Sequence, residues 1–188
     1  LATRGLPGTH DLHLALDTMA RLQAGERVTL PRFDKLADDR STTAQWPVME
    51  GRCELVILDG WFLKTPPQLP DELQEPVNAL ERLEDAQATW RRYCNTALAE
   101  HYPPLWKTID KLWFLQGPGF DVVPAWRWQQ EQALQAADPA RMGMTRAQVD
   151  RFVQLFERVS RQGLRTLPAI ADAIVALDEN RNPRARPA

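Results

Sequence analysis

Leu55-Val56-Ile57-Leu58 is the stretch that most limits what this chain can become. Four apolar residues in a row are too few for a helix, and Val and Ile favour strands. With no polar alternation, such a strand is expected to be buried on both faces, at the centre of a parallel sheet covered by helices. It runs into Asp59-Gly60, where the glycine lets the chain turn sharply. In open α/β sheets the ligand crevice lies outside the carboxyl ends of the strands, which would set Asp59 facing a ligand, directly or through a metal ion. An Asp that merely caps the turn fits the same spacing, and the residues do not choose between the two.

The rest of the chain reads as helices alternating with short strands. Leu12, Leu16, Met19, Ala20 and Leu22 recur at helical spacing after a Gly- and Pro-containing loop, with Thr9 or Asp11 as cap and Gly25 as stop. Val28 to Phe33 predicts a short edge strand interrupted by Pro31. Asp34 to Arg40 packs five charges into seven residues, which reads as a solvated loop or as an anion or hydroxyl-acid site. Lys64 to Pro70 is extended. Asn78–Asp85 and Ala86–Glu100 are helical, and the helical pattern continues past Pro103-Pro104. Leu112–Leu115 predicts a second buried strand closed by Gly117-Pro118-Gly119, followed by a helix over Phe120–Ala137. Thr145 and Gln148 form a capping box that opens a helix to about Leu167. Ala173–Asp178 is a last strand, and residues 179–188 are a polar, basic tail expected to fray. The alternation implies an α/β domain of three layers with a mostly parallel sheet over residues 1–178.

Several chemistries are poorly served. Neither Cys53 nor Cys94 stands at a helix start with a His partner, and no Gly-x-Ser-x-Gly elbow occurs. The two cysteines lack metal-ligand spacing, so a reducing cytoplasm is the expected setting. His10, His13 and His101 make no convincing zinc set, and no Gly-x-Gly-x-x-Gly supports a dinucleotide fold. A net charge of −2 offers no polycation for nucleic acid. No apolar run reaches membrane-spanning length, and no signal peptide is visible. What remains is an acidic strand end, a loop of mixed charge, a Gly/His/Asp loop near the start, and an Arg on a helix with aromatic neighbours. Carboxylates that hold magnesium, with Lys and Arg that neutralise phosphate oxygens, are what phosphoryl transfer requires. Its usual signature, Gly-x-x-x-x-Gly-Lys-Ser/Thr, occurs nowhere, since no Lys follows a Gly.

Arg4-Gly5-Leu6-Pro7-Gly8-Thr9-His10-Asp11, Leu30-Pro31-Arg32-Phe33-Asp34-Lys35 with Asp38-Asp39-Arg40, and Leu58-Asp59-Gly60-Trp61 resemble the D-glycerate 3-kinase family. So do Pro76-Val77-Asn78 with Leu80-Glu81, Trp90-Arg91-Arg92-Tyr93 with Asn95, and Trp126-Arg127 with Gln130-Glu131. The pieces run in the family's order over nearly the whole chain. The family is one of the P-loop kinases, related to uridine kinase, phosphoribulokinase and pantothenate kinase. The resemblance implies a P-loop kinase-like domain using ATP and magnesium on a small-molecule acceptor, D-glycerate first. Another sugar acid, a nucleoside or a pantothenate-like acceptor is the alternative, as is a truncated relative that binds a metabolite without catalysis.

Family members carry a strand, a Walker A loop and an Asp-Asp-Phe-Tyr-like segment ahead of the point matching Leu1. The resemblance therefore implies a fragment that lacks its N-terminal strand and phosphate loop and does not turn over alone. It also implies roles residue by residue. Asp11 would meet the acceptor hydroxyl, with Arg4 and His10 flanking the substrate carboxylate. Asp34, Lys35 and Arg40 would form the acceptor-side loop. Asp59, where the family usually has Glu, would orient magnesium. Arg127 would lie in the lid and offset charge on the transferring phosphoryl group; an ion pair with Glu131 one turn on is the plainer use of the same residue.

Overall fold

A computed structural model describes residues 3–34, 37, 39–139 and 142–184. They divide into two compact units, one of residues 11–60 and a larger one of residues 3–10 with 61–184.

The 11–60 unit opens on helix α1 (Leu12–Ala24). The Asp11 carboxylate caps it by accepting from the Leu14 N–H at 3.0 Å, and Gly25 ends it at φ +75°, a left-handed turn that a Cβ would strain. The strand expected over Val28–Phe33 is broken at Pro31 into β1 (Val28–Thr29) and β2 (Phe33–Asp34). β3 (Asp39–Arg40) pairs antiparallel with β2, and β4 (Val48–Met49) pairs antiparallel with β1. Leu55–Leu58, expected as the buried central strand, joins no ladder among the described residues. Leu55 is 76% exposed and Ile57 82%.

The larger unit holds helices α2 (Ala79–Glu84), α3 (Thr89–Glu100) and α4 (Pro103–Trp106), strand β5 (Trp113–Gln116), helices α5 (Val123–Ala137) and α6 (Arg146–Thr166), and strand β6 (Ala173–Ala176). The Thr145–Gln148 capping box opens α6 as the spacing predicts. β5 and β6 are parallel, in register Trp113↔Ala173 to Gln116↔Ala176, joined by the α5–α6 crossover that a parallel pair needs. The α/β class is thereby borne out. The expectation that β5 is buried on both faces is not: Trp113 and Leu115, two residues apart and so on one face, are 73% and 63% exposed. Phe114 and Gln116 on the other face are half-buried, the alternation of a sheet covered on one side only.

Phe120, Val149 and Val153 form a buried cluster with Val123, Trp128, Met144, Phe152 and Leu164 packed around it. The polar tail begins with a closed turn. Asp178 accepts from the N–H groups of Asn180 and Asn182, and Trp126 Nε1 donates to the Glu179 carbonyl. Among the described residues no helix is long and apolar enough to cross a membrane.

Candidate functional site

The loop carrying Arg4 and His10 is held by its own backbone chemistry. Gly5 N–H donates to Thr9 Oγ1 at 2.9 Å, and that hydroxyl donates to the Leu6 carbonyl at 2.7 Å. Leu6 and Pro7 are buried, and Trp61 Nε1 donates to the Gly5 carbonyl. Gly8, at φ +88°, is clasped by two tyrosines: its N–H donates to Tyr102 Oη and its carbonyl accepts from Tyr93 Oη. A Cβ at Gly8 would lie 2.6 Å from the Tyr93 ring, so only glycine suits both the turn and the approach. His10 leaves the loop with one edge in solvent and its inner face against Phe62 and Tyr102; burial lowers its pKa from the ordinary histidine value. Arg4 stands exposed at the start of this loop.

In the 11–60 unit, Asp11 and Arg40 meet although 29 residues apart. Arg40 Nη1 lies 3.0 Å from Asp11 Oδ2, while Asp11 Oδ1 stays on the α1 cap. The Leu14 N–H first, and the Arg40 guanidinium after it, hold the Asp11 carboxyl below the usual carboxylate range. The β2–β3 ladder sets Phe33 opposite Arg40 and Asp34 opposite Asp39. Asp34 Oδ1 accepts from the Ala37 N–H at 3.3 Å. Asp11, Asp34 and Arg40 are therefore carried by one helix start and one hairpin. Lys35 lies outside the described residues. Asp59 is exposed in the segment after Leu58, and among the described residues no group of three or more His, Cys, Asp or Glu converges as a metal set. One carboxylate is nonetheless what magnesium commonly takes from a protein when water and phosphate oxygens fill its other positions.

Arg127 sits on α5 and reaches one turn along it to Glu131, with Nη2 2.9 Å from Oε2. This is no surface pair: Glu131 is 0% exposed, and its other oxygen accepts from the Met144 N–H at 3.0 Å. The guanidinium also lies 5.9 Å from the centre of the Phe152 ring. Its Nη1 is buried without a hydrogen-bond partner among the described residues. A buried donor left unmade costs about 1–3 kcal/mol, which an arriving anion would recover.

Several residues that carried the resemblance form a different constellation, whose part sequence reasoning missed. Arg158 of α6 places Nε and Nη2 on the two Glu81 oxygens at 2.8 and 2.7 Å, and its remaining donors on Gln68 Oε1 and the carbonyls of Glu72 and Glu75. Arg91 of α3 donates to Asp85 and to the carbonyls of Leu73 and Gln74. Asn78 caps α2 and donates to Glu157 and the Gln154 carbonyl, and Asn95 exchanges two bonds with the Gln68 backbone. Gln68, Glu81, Arg91, Asn95 and Arg158 line a small cavity of about 30 Å³ together with Cys94, whose thiol is pushed up to about 12 by burial and by the acids at 85 and 81. Such a thiol is inert at neutral pH. With the donors of Arg158 all taken, the network fastens helices and loops together and leaves little for a ligand. Only the close order of charged residues in the motifs hinted at it.

Comparison with known proteins adds the ancestry of this arrangement. The chain is 29% identical over 203 aligned positions to the chloroplastic D-glycerate 3-kinase of Arabidopsis thaliana, covering 97% of this chain and 41% of that protein. In solved structures it overlays D-glycerate 3-kinase from Cryptococcus neoformans with a TM-score of 0.75 at 24% identity, covering 97% of this chain and 68% of the other. The chain is related to the D-glycerate 3-kinases. The chain is also 30% identical to the uncharacterized kinase mug58 of Schizosaccharomyces pombe, over 80% of this chain and 55% of that one. It overlays the YGR205w protein with a TM-score of 0.67 at 24% identity, over 97% of this chain and 65% of the other. No protein-family model matches. The chain spans about two fifths and just over half of the two curated relatives, 41% and 55% of their lengths.

Proposed function

We propose that the chain is the acceptor-side and lid portion of an ATP-dependent kinase that transfers the γ-phosphoryl group of ATP to the 3-hydroxyl of D-glycerate. The observation that carries this reading is the Asp11–Arg40 pair. Two residues matched to the acceptor side from separate motifs meet at 3.0 Å, in a chain related to D-glycerate 3-kinases over 97% of its length. ATP would supply the phosphoryl group, and magnesium, oriented by Asp59, would neutralise its oxygens.

The remaining chemistry falls to this chain's own residues. Asp11 is a carboxylate held ionised by its cap bond and by Arg40, so it suits accepting the acceptor hydroxyl's hydrogen bond better than removing its proton. Arg40, with Lys35, would supply cationic charge for an anionic acid, and Arg4 and His10 would flank its carboxylate. Asp34 would steady the hairpin that presents Arg40. Arg127 would turn its unmade Nη1 donor to the transferring phosphoryl group, where charge spreads over the equatorial oxygens.

Coupled ADP release by the full-length protein tests the reading with D-glycerate, uridine and pantothenate as acceptors. Turnover with D-glycerate well above the other two is expected. Turnover with uridine or pantothenate alone would keep the kinase class and remove the acceptor assigned here.

A further inference from the structure

The hydrogen bonds around His10 fix more than its position. Tyr102 is 2% exposed, so its hydroxyl proton has to find a protein acceptor. The hydroxyl oxygen already accepts from the Gly8 N–H at 3.1 Å, and its only other partner among the described residues is His10 Nδ1 at 2.7 Å. A hydroxyl carries one proton, which must therefore point at Nδ1. His10 Nδ1 is then an acceptor, and the imidazole proton resides on Nε2. Protonating Nδ1 would set two protons between the same two atoms and leave the Tyr102 proton with nowhere to go.

We propose that Tyr102 is a positioning residue that locks His10 as the neutral, Nε2–H imidazole, a fixed single-proton donor at the rim of the Gly5–His10 loop. The lock rests on the reading of His10 as a residue beside the substrate carboxylate and deepens it. A neutral N–H donates one hydrogen bond to a carboxylate without a change of charge across the neutral pH range.

The surroundings agree. The titratable groups that bear on Tyr102 are Tyr93 and Cys94, and the Cys94 thiol, pushed up to about 12, is neutral at pH 7. Burial raises the Tyr102 hydroxyl against the opposing pull of the Gly8 N–H, so it stays a donor. Burial also disfavours the imidazolium of His10. The ring cannot swing away freely, because Phe62 lies 5.6 Å from it, centre to centre, and Tyr102 stacks at 5.1 Å on Trp106. The loop's side of the bond is equally fixed, since the Gly8 carbonyl takes the Tyr93 hydroxyl at 2.8 Å.

Long-range ¹H–¹⁵N spectra of the labelled full-length protein read the tautomer and the titration of each imidazole, and a His10→Gln variant assigns the His10 signals. The expected spectrum has His10 with a bare Nδ1 and a protonated Nε2, titrating below the ordinary histidine value of about 6.5. Tyr102→Phe keeps the ring and deletes the hydroxyl. It is expected to mix the tautomers of His10 and to move its titration up, while His13 and His101 stay where they were. Protonation at Nδ1 in the unmutated protein would overturn the assignment, whether or not the Tyr102→Phe protein folds. An unchanged tautomer in a folded Tyr102→Phe protein would overturn it as well. In the same variant the KM for D-glycerate is expected to rise several-fold with kcat nearly constant. A changed tautomer with an unchanged KM would leave the Tyr102 lock standing and overturn the carboxylate role of His10.

Discussion

Arg127→Ala in the full-length protein is expected to lower kcat for D-glycerate phosphorylation by about 10³-fold, with KM for D-glycerate changed by less than about threefold. An arginine that meets the phosphoryl group only as charge spreads over it contributes to the transition state and not to acceptor binding, so its loss falls on kcat. The same substitution also removes a cation from Glu131, which is fully buried, so the protein should lose stability alongside activity. Arg127→Lys separates the two effects. A lysine keeps positive charge near Glu131 but lacks the fork that holds Glu131 with Nη2 and would offer Nη1 to a phosphoryl oxygen, so it should restore the melting temperature more fully than the rate. Assays are to be run well below the melting temperature of the weakest variant. A kcat within a few-fold of normal for Arg127→Ala would reduce this residue to a partner of Glu131.

The second large effect concerns stability alone. Arg158→Ala should cost about 3–5 kcal/mol in urea unfolding, a large part of what a domain has to spare. It leaves buried Glu81 with only the Arg91 guanidinium, 4.0 Å away, as counter-charge, and it orphans the Gln68 amide oxygen and two carbonyls that Arg158 holds. Replacing both members by apolar residues should recover only part of the loss. One Glu81 oxygen also accepts from the Val77 N–H, and that N–H and the carbonyls of Glu72 and Glu75 would lose their partners. A loss under about 1 kcal/mol would mean the network is solvated, against its near-complete burial.

How much of this was legible depends on how far apart the cooperating residues stand. α1 and α6 were read from their ends, because a cap acts within three residues: Asp11 on Leu14, Thr145 with Gln148, Gly25 at the left-handed stop. The β5–β6 pair was legible as two apolar runs flanking helices, and the right-order motifs gave the ancestry. The Leu55–Leu58 run misled because apolarity records a need for cover, not what supplies it. The neighbouring hairpins pair among themselves and leave the run exposed. Trp113 and Leu115 misled for the same reason. The Glu81–Arg158 pair spans 77 residues and Asp11–Arg40 spans 29, and no periodicity reports such a meeting. Charged residues read one at a time look like surface, which is why Arg91 entered only as a motif letter and Arg158 did not enter at all. Arg127 was the intermediate case: its i,i+4 pairing with Glu131 could be read from spacing, but the burial of Glu131 could not.

The most direct test of the acceptor assignment is the KM for D-glycerate in Arg40→Ala, measured by coupled ADP release in the full-length protein at saturating ATP. An Arg40 that serves the substrate anion predicts a KM raised by about tenfold or more, the loss expected for one charge-assisted hydrogen bond. A KM indistinguishable from the unmutated protein, with kcat also intact, would make the Asp11–Arg40 contact a surface ion pair and contradict the assignment of this corner to the acceptor.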